Sequence, residues 1–160
     1  MGIEIERKFL LKNDDWKQHV SQSYIIKQGY LQSGLDASQK SSVRIRISNK
    51  SANINIKSVD LAMVRQEFEY NIPLHDAEQM MDTLCGDIIS KTRHYVPYAA
   101  HLWEVDIFEG DNAGLQMAEI ELSHVDEKFE IPDWIGDEVT EDQRYYNIYL
   151  LKQPFKLWPV

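Results

Sequence analysis

Charges of one sign recur two residues apart along this chain: Glu4 and Glu6, Arg44 and Arg46, Glu67 and Glu69, Lys91 and Arg93, Glu104 and Asp106, Glu119 and Glu121. Five of these six pairs bracket a single apolar residue, where matching the composition to that template gives about two or three by chance. In a β-strand, residues i and i+2 point to the same face, so the members of each pair would stand side by side. Like charges held that way repel, which is costly unless a counter-ion or a ligand offsets it. Adding Lys8, Lys57 and Arg65 on the same strand faces brings the tally to eight acids against seven bases. Turned toward one cavity, these groups would suit a polyanion carried with a divalent cation. The competing arrangement is an ordinary antiparallel sheet with solvated charges on one face and an apolar core on the other.

Positioning such pairs takes strands. Short runs that alternate apolar and polar residues occur at 3–10, 24–32, 42–48, 52–58, 64–71, 90–96, 102–109 and 115–123, each near the usual strand length. That number of strands is enough to close a barrel, with helices over part of its outside. Asn13 is placed to cap a short helix through Val20, and the spacing of Ala77, Met80, Met81 and Leu84 after Pro73 predicts a second. Thr140 with Gln143 forms a capping-box signature for a third helix running toward Lys152. The Ser- and Gly-containing stretch 32–42 reads as a surface loop. The expected fold class is α+β, mainly β: an eight-stranded antiparallel closed β-barrel, a tunnel with a charged interior and a few flanking helices.

The 160 residues fit a single domain, 1–160, large enough to bury a core. With 43% hydrophobic and 27% charged residues, the composition is that of a soluble globular chain. A net charge of −9 argues against a protein that coats nucleic acid, yet a cationic pocket can sit inside an acidic shell. No stretch approaches the ~18–20 apolar residues of a membrane span, and the charges among residues 4–8 do not suit the apolar core of a signal peptide. Cys85 is the only cysteine, which excludes an intrachain disulfide and makes a cytoplasmic setting the default. The expected partner is a small molecule, with neither nucleic acid nor membrane, and the chain is expected to be a monomer or homodimer.

Taken in order, the motifs become specific. Glu4-Ile5-Glu6-Arg7-Lys8 is an ExExK motif, followed by Gln28-Gly29-Tyr30-Leu31, Arg44-Ile45-Arg46, Lys57-Ser58, Arg65-Gln66-Glu67-Phe68-Glu69 and Lys91-Thr92-Arg93. Then come Trp103-Glu104-Val105-Asp106, Ala118-Glu119-Ile120-Glu121-Leu122, and a tail of Asp137-Glu138-Val139-Thr140 and Arg144-Tyr145-Tyr146-Asn147. This ordered set, over residues 2 to about 150, resembles the CYTH or triphosphate tunnel metalloenzyme superfamily, and its tail resembles the short bacterial inorganic triphosphatase branch. The resemblance implies an eight-stranded tunnel and metal-dependent hydrolysis of inorganic triphosphate to pyrophosphate and phosphate, with weaker action on nucleoside or thiamine triphosphates.

The resemblance also implies roles. Glu4, Glu6 and Glu121, joined by Glu119, would form the metal set; such hard oxygen donors suit Mg2+ or Mn2+ rather than zinc. Lys8, Arg44, Arg46, Lys57, Lys91 and Arg93 would hold phosphate oxygens, Arg by its planar fork and Lys as a point charge. Glu67, Glu69 or Asp106 could orient the attacking water or hold a second metal, and Lys91 is also a catalytic candidate. Arg65 could instead position Glu67. His94 follows Arg93 and so falls on the outer face, the remaining histidines lie near loops and helix ends, and Cys85 reads as a buried helix residue. Trp103 and Trp134 read as packing residues. No base-reading motif is visible, which weighs against the alternative activity, a class IV-type adenylate cyclase. The acidic pairs weigh against a non-catalytic polyphosphate-binding barrel, which has no need of metal carboxylates.

Overall fold

The computed structural model of the protein describes residues 2–60 and 63–159. Its strands are β1 (Ile3–Leu11), β2 (Gln22–Gln32), β3 (Ser41–Ser48), β4 (Ser51–Ser58), β5 (Val64–Ile72), β6 (Ile89–Tyr98), β7 (His101–Phe108), β8 (Gln116–Glu121) and β9 (Ile135–Glu138). The first eight form one antiparallel circuit, β5-β4-β3-β2-β6-β7-β8-β1, closed by pairing of β1 with β5. The eight predicted runs match these strands to within one or two residues at most ends, as expected where strand ends are read from periodicity alone.

β9 was not visible as a strand in the sequence. It is four residues long and carries no alternating run. Its place follows from how β1 spends its backbone groups. In a strand, the N–H groups of residues i and i+2 face the same edge. Glu6 donates to the Met63 carbonyl beside β5, whereas Lys8 donates to Thr140 Oγ1 and accepts from Val139 N–H. β5 therefore leaves that edge after the first half of β1, and the segment after β9 satisfies the rest.

Register brings the charged positions into rows across neighbouring strands. Lys8 lies opposite Glu119, Arg93 opposite Asp106, Lys57 opposite Glu67 and Glu4 opposite Arg65. Two acidic rows, Glu6 opposite Glu121 and Glu104 opposite Glu119, have no such compensation across the strand pair.

The apolar residues between them face outward, so one part of the hydrophobic core wraps the barrel, while Ile89, Phe108 and Met117, in register with Gln28, Lys91 and Asp106, fill part of its interior. Phe9, Val96, Trp103, Val105 and Ile120 are covered by Trp16 and by Trp134 with Phe129. Trp103 packs edge-on against Trp134 at 5.8 Å. The helix α1 (Leu74–Thr83) places Ala77 and Met81 over Ile45 and Ala52. Burying one such large side chain contributes roughly 1.5–3 kcal/mol. Leu150 of α2 (Asn147–Lys152) packs with Ile89, Phe108 and Met117 near the C-terminal end of the chain.

Two predicted helices differ in kind. The first is a 3-10 helix, Asp15–His19, entered through Asp14, and the Asn13 side chain accepts only the Asp15 N–H. Thr140 caps no helix: it is buried, takes the Lys8 N–H and donates to Glu138. Asp142 instead accepts the Arg144 N–H at the 3-10 turn Gln143–Tyr145. Cys85 lies just past α1, half-buried, where a Cβ at Gly29 would come within 2.9 Å of its Sγ. That close approach of the post-helix loop to β2 requires glycine there.

Candidate active site

The barrel interior holds a cavity of about 230 Å3. From β1 it is lined by Glu4, Glu6 and Lys8; from β3 and β4 by Arg44, Arg46 and Lys57; from β5 by Arg65, Glu67 and Glu69. Arg93, Glu104, Glu119 and Glu121 complete the charged wall from β6, β7 and β8. Two expected site residues, Lys91 and Asp106, do not line it. Both are fully enclosed and joined at 2.6 Å, Lys91 Nζ to Asp106 Oδ2. Arg93 reaches Asp106 through Nε and Nη2, each at 2.7 Å. The Asp106 carboxylate is thus taken up by three donors behind the cavity wall.

The side chains form ion pairs of unequal commitment. Lys8 Nζ lies 2.6 Å from Glu119 and 3.1 Å from Glu6. Lys57 contacts Glu4 at 2.8 Å and Glu67 at 3.4 Å, while Arg65 spans Glu4 and Glu6 at 3.5 and 3.4 Å. Arg93 joins Glu104 and Glu119. Burial works against the Glu119 charge, but Lys8 and Arg93 beside it hold the carboxyl well below the usual range. Asp106 behaves the same way: burial opposes its charge, and Arg93 and Lys91 overcome that.

Arg44 and Arg46 are the least committed cations. Arg46 gives Nε and Nη2 to the neutral Gln28 carbonyl at 3.2 and 3.1 Å. Burial, with Arg44 and Arg93 close by, pulls its pKa down to about 10. Arg44 meets Glu69 only at 3.8 Å, and its buried Nε has no hydrogen-bond partner among the described residues. An anion bound between them would relieve their mutual repulsion and supply that missing acceptor.

The opposite imbalance lies at Glu121. Burial first, then Glu4, Glu104, Glu67 and Glu6 around it, push its carboxyl up to about 7. A cluster of hard oxygen donors that resists its own ionisation is chemically suited to a hard divalent cation. Among the described residues no three acidic, His or Cys side chains converge as a metal site in this arrangement, because Glu4, Glu6 and Glu119 are each drawn toward Lys or Arg. A phosphate that engaged those cations would free the carboxylates.

Several lining residues went unassigned in the sequence. Asn55 holds Glu69 at 2.9 Å, and the Tyr146 ring lies 5.1 Å from Lys8 Nζ and 5.4 Å from the Arg65 guanidinium. Asn147 turns a buried Oδ1 without a hydrogen-bond partner among the described residues, and the residue lines the cavity. For Asn55 the signal was present, since it shares a strand face with Lys57. For Tyr146 and Asn147 only the tail motif pointed to them. His94 packs outside on Trp16 at 5.1 Å.

The CYTH domain model matches residues 2–150. An inorganic triphosphatase of Acetivibrio thermocellus is 40% identical over 157 residues, covering 98% of this chain and 97% of the relative. An inorganic triphosphatase of Nitrosomonas europaea is 33% identical over 148 residues, 90% and 93% of the two chains. A crystal structure of the inorganic triphosphatase NE1496 superposes with a TM-score of 0.63 at 29% identity, covering 98% of this chain and 95% of the other.

Proposed function

The chain belongs to the CYTH domain family, and on that premise we propose that it hydrolyses inorganic triphosphate to pyrophosphate and phosphate with Mg2+ or Mn2+. The observation that carries the reading is the pairing of under-committed Arg44 and Arg46 with the repelling carboxylates around Glu121 in one cavity. That lining asks for both signs of charge, and a metal–triphosphate complex supplies both.

In the reaction, water adds in line to a terminal phosphorus, the bridging P–O bond breaks, and pyrophosphate leaves with that oxygen. Arg44, Arg46, Arg93, Lys57 and Lys8 hold the non-bridging oxygens, so positioning and charge neutralisation supply most of the acceleration. Glu4, Glu6, Glu119 and Glu121 would hold the divalent cation, which supplies charge neutralisation at the phosphoryl oxygens. Of the three remaining lining carboxylates, Glu104 is paired with Arg93, and Glu67 and Glu69 orient the water and take its proton. Lys91 and Asp106, both enclosed, act behind Arg93 by fixing its guanidinium. No helix among the described residues is long and apolar enough to cross a membrane. We place the enzyme in the cytoplasm, as a monomer or homodimer acting on a small molecule.

The test is a product assay. Tripolyphosphate with Mg2+ should yield phosphate and pyrophosphate in equal amounts, and excess chelator should stop it. Release of no phosphate, or undiminished release in chelator, overturns the reading. Accumulation of cyclic AMP from ATP while tripolyphosphate stays intact would put a cyclase in its place.

A further inference from the structure

Five buried side-chain atoms lack a hydrogen-bond partner among the described residues: Trp16 Nε1, Trp103 Nε1, Asn53 Oδ1, Arg44 Nε and Asn147 Oδ1. Of these, only Arg44 and Asn147 line the charged cavity. The two atoms are of opposite kind. Arg44 offers a donor, which a phosphate oxygen completes. Asn147 offers an acceptor, and ionised phosphate oxygens are acceptors themselves, so the phosphates leave it unfilled. Asn147 opens α2 directly after Tyr146, whose ring lies 5.4 Å from the Arg65 guanidinium. Arg65 contacts Glu4 at 3.5 Å, Glu4 contacts Lys57 at 2.8 Å, and Lys57 contacts Glu67 at 3.4 Å. Asn147 and Glu67 thus belong to one connected stretch of wall. Leu150, buried against Ile89, Phe108 and Met117, holds α2 in place there.

The attacking water is the reactant with hydrogens to give. A single carboxylate fixes one of its two hydrogens, and the molecule can still swing about that bond. A second acceptor removes the swing and turns a lone pair toward phosphorus, the orientation on which a near-attack geometry depends. We infer that Asn147 is a further water-positioning residue, its Oδ1 accepting the hydrogen that the attacking oxygen keeps. The inference rests on the triphosphatase reading above, since it needs water as the nucleophile. As that oxygen bonds to the terminal phosphorus, one proton passes to Glu67 or Glu69, and the bridging P–O bond breaks with its electron pair going to pyrophosphate. The second hydrogen stays on the new phosphate oxygen, so its bond to Asn147 persists through the step. A neutral amide suits the position, because it accepts a hydrogen without setting another negative charge beside the phosphates.

The test separates turnover from binding. Asn147→Ala should lower kcat for tripolyphosphate about 5- to 150-fold, the scale of one unmade hydrogen bond to a buried acceptor. Its KM, its affinity for tripolyphosphate in excess chelator and its thermal unfolding midpoint should stay near those of the unsubstituted protein. Asn147→Asp keeps an acceptor of the same shape, so it should recover most of the lost kcat while its added charge raises KM. An unchanged kcat in Asn147→Ala overturns the inference, as does a kcat no higher in Asn147→Asp than in Asn147→Ala. So does a loss of affinity equal to the loss of kcat, which would mean that the amide turns its Nδ2 to a phosphate oxygen. Failure of the triphosphatase reading would show separately, as tripolyphosphate that the unsubstituted protein never cleaves.

Discussion

At the scale of single residues, the commitments of each charge determine what its loss should do. Glu4→Gln or Glu6→Gln keeps side-chain volume but removes a metal-binding charge, so hydrolysis should fall by orders of magnitude in a protein that still folds, the midpoint dropping more for Glu4, which pairs with Lys57 and Arg65. Arg44 and Arg46 have weak or neutral partners. Replacing either by Ala should weaken tripolyphosphate binding about 10- to 150-fold, the equivalent of one charged hydrogen bond at ~1.5–3 kcal/mol. Lys17→Ala on the outer 3-10 helix should leave binding unchanged; equal effects from all three would mean a diffuse surface field. Asp106 is different, being wholly enclosed against Lys91 and Arg93. Asp106→Asn should destabilise the fold by about 3–5 kcal/mol at pH 7, as expected when one partner of a buried pair is lost. The sign of its pH dependence follows from the depressed carboxyl. The unfolded state binds the proton more readily, so the stabilisation is fully present above the ordinary aspartate pKa of about 4. It is lost as pH falls through the lower folded value. Denaturant titrations of both proteins from neutral to acid pH should therefore converge.

At the scale of elements, period-two patterning made the barrel legible, because over much of their length the strands carry charges on one face and apolar residues on the other. Glu4, Arg44, Glu67, Arg93 and Glu119 all fall inside for that reason. Periodicity reports a face, however, and not depth along the axis. Lys91 and Asp106 share the faces of Arg93 and Glu104, yet their register neighbours are the apolar Phe108 and Met117, and both are fully enclosed outside the cavity lining. The edge-on contact of Tyr24 with Tyr95 was hidden likewise, since it appears only when β2 and β6 are set in register. The tail was misread for another reason. Thr140 fits the local chemistry of a capping box, but a longer-range demand, the unpaired N–H of Lys8, takes its hydroxyl. Tyr146 then donates to the Thr140 carbonyl at 2.8 Å and presents its ring to Lys8. Thr140→Val should cost about 1–3 kcal/mol by leaving that N–H unsatisfied, measurable in urea. Because the same segment fixes Lys8 and Tyr146, the substitution should also raise KM for tripolyphosphate, whereas a purely surface role would leave KM unchanged.

At the scale of the whole molecule, charge is sorted by position. Inside stand eight carboxylates and seven cations, so nearly all of the −9 net charge lies on the outside. Attraction over long distance therefore cannot gather an anionic substrate; binding must come from contacts made within the cavity. That sets the order of substrates. Linear triphosphate, with about four to five negative charges near neutral pH, can meet the carboxylates around Glu121 through its metal and Arg44 and Arg46 through its oxygens. Pyrophosphate has one phosphate fewer to divide between the two sets, and should engage them less completely. ATP can span them, but it gives up one terminal negative charge to the ester and must order its nucleoside at the mouth, where each ordered torsion costs binding energy. Complementarity to charge alone discriminates poorly, so exclusion and reach decide the outcome. Tripolyphosphate should accordingly show a kcat/KM well above that of ATP or thiamine triphosphate, and pyrophosphate should be cleaved least. Assays at equal concentrations with Mg2+ decide it. Pyrophosphate turned over as fast as tripolyphosphate would mean that one set of groups suffices, and the joint use of Arg44, Arg46 and the carboxylates around Glu121 would have to be given up.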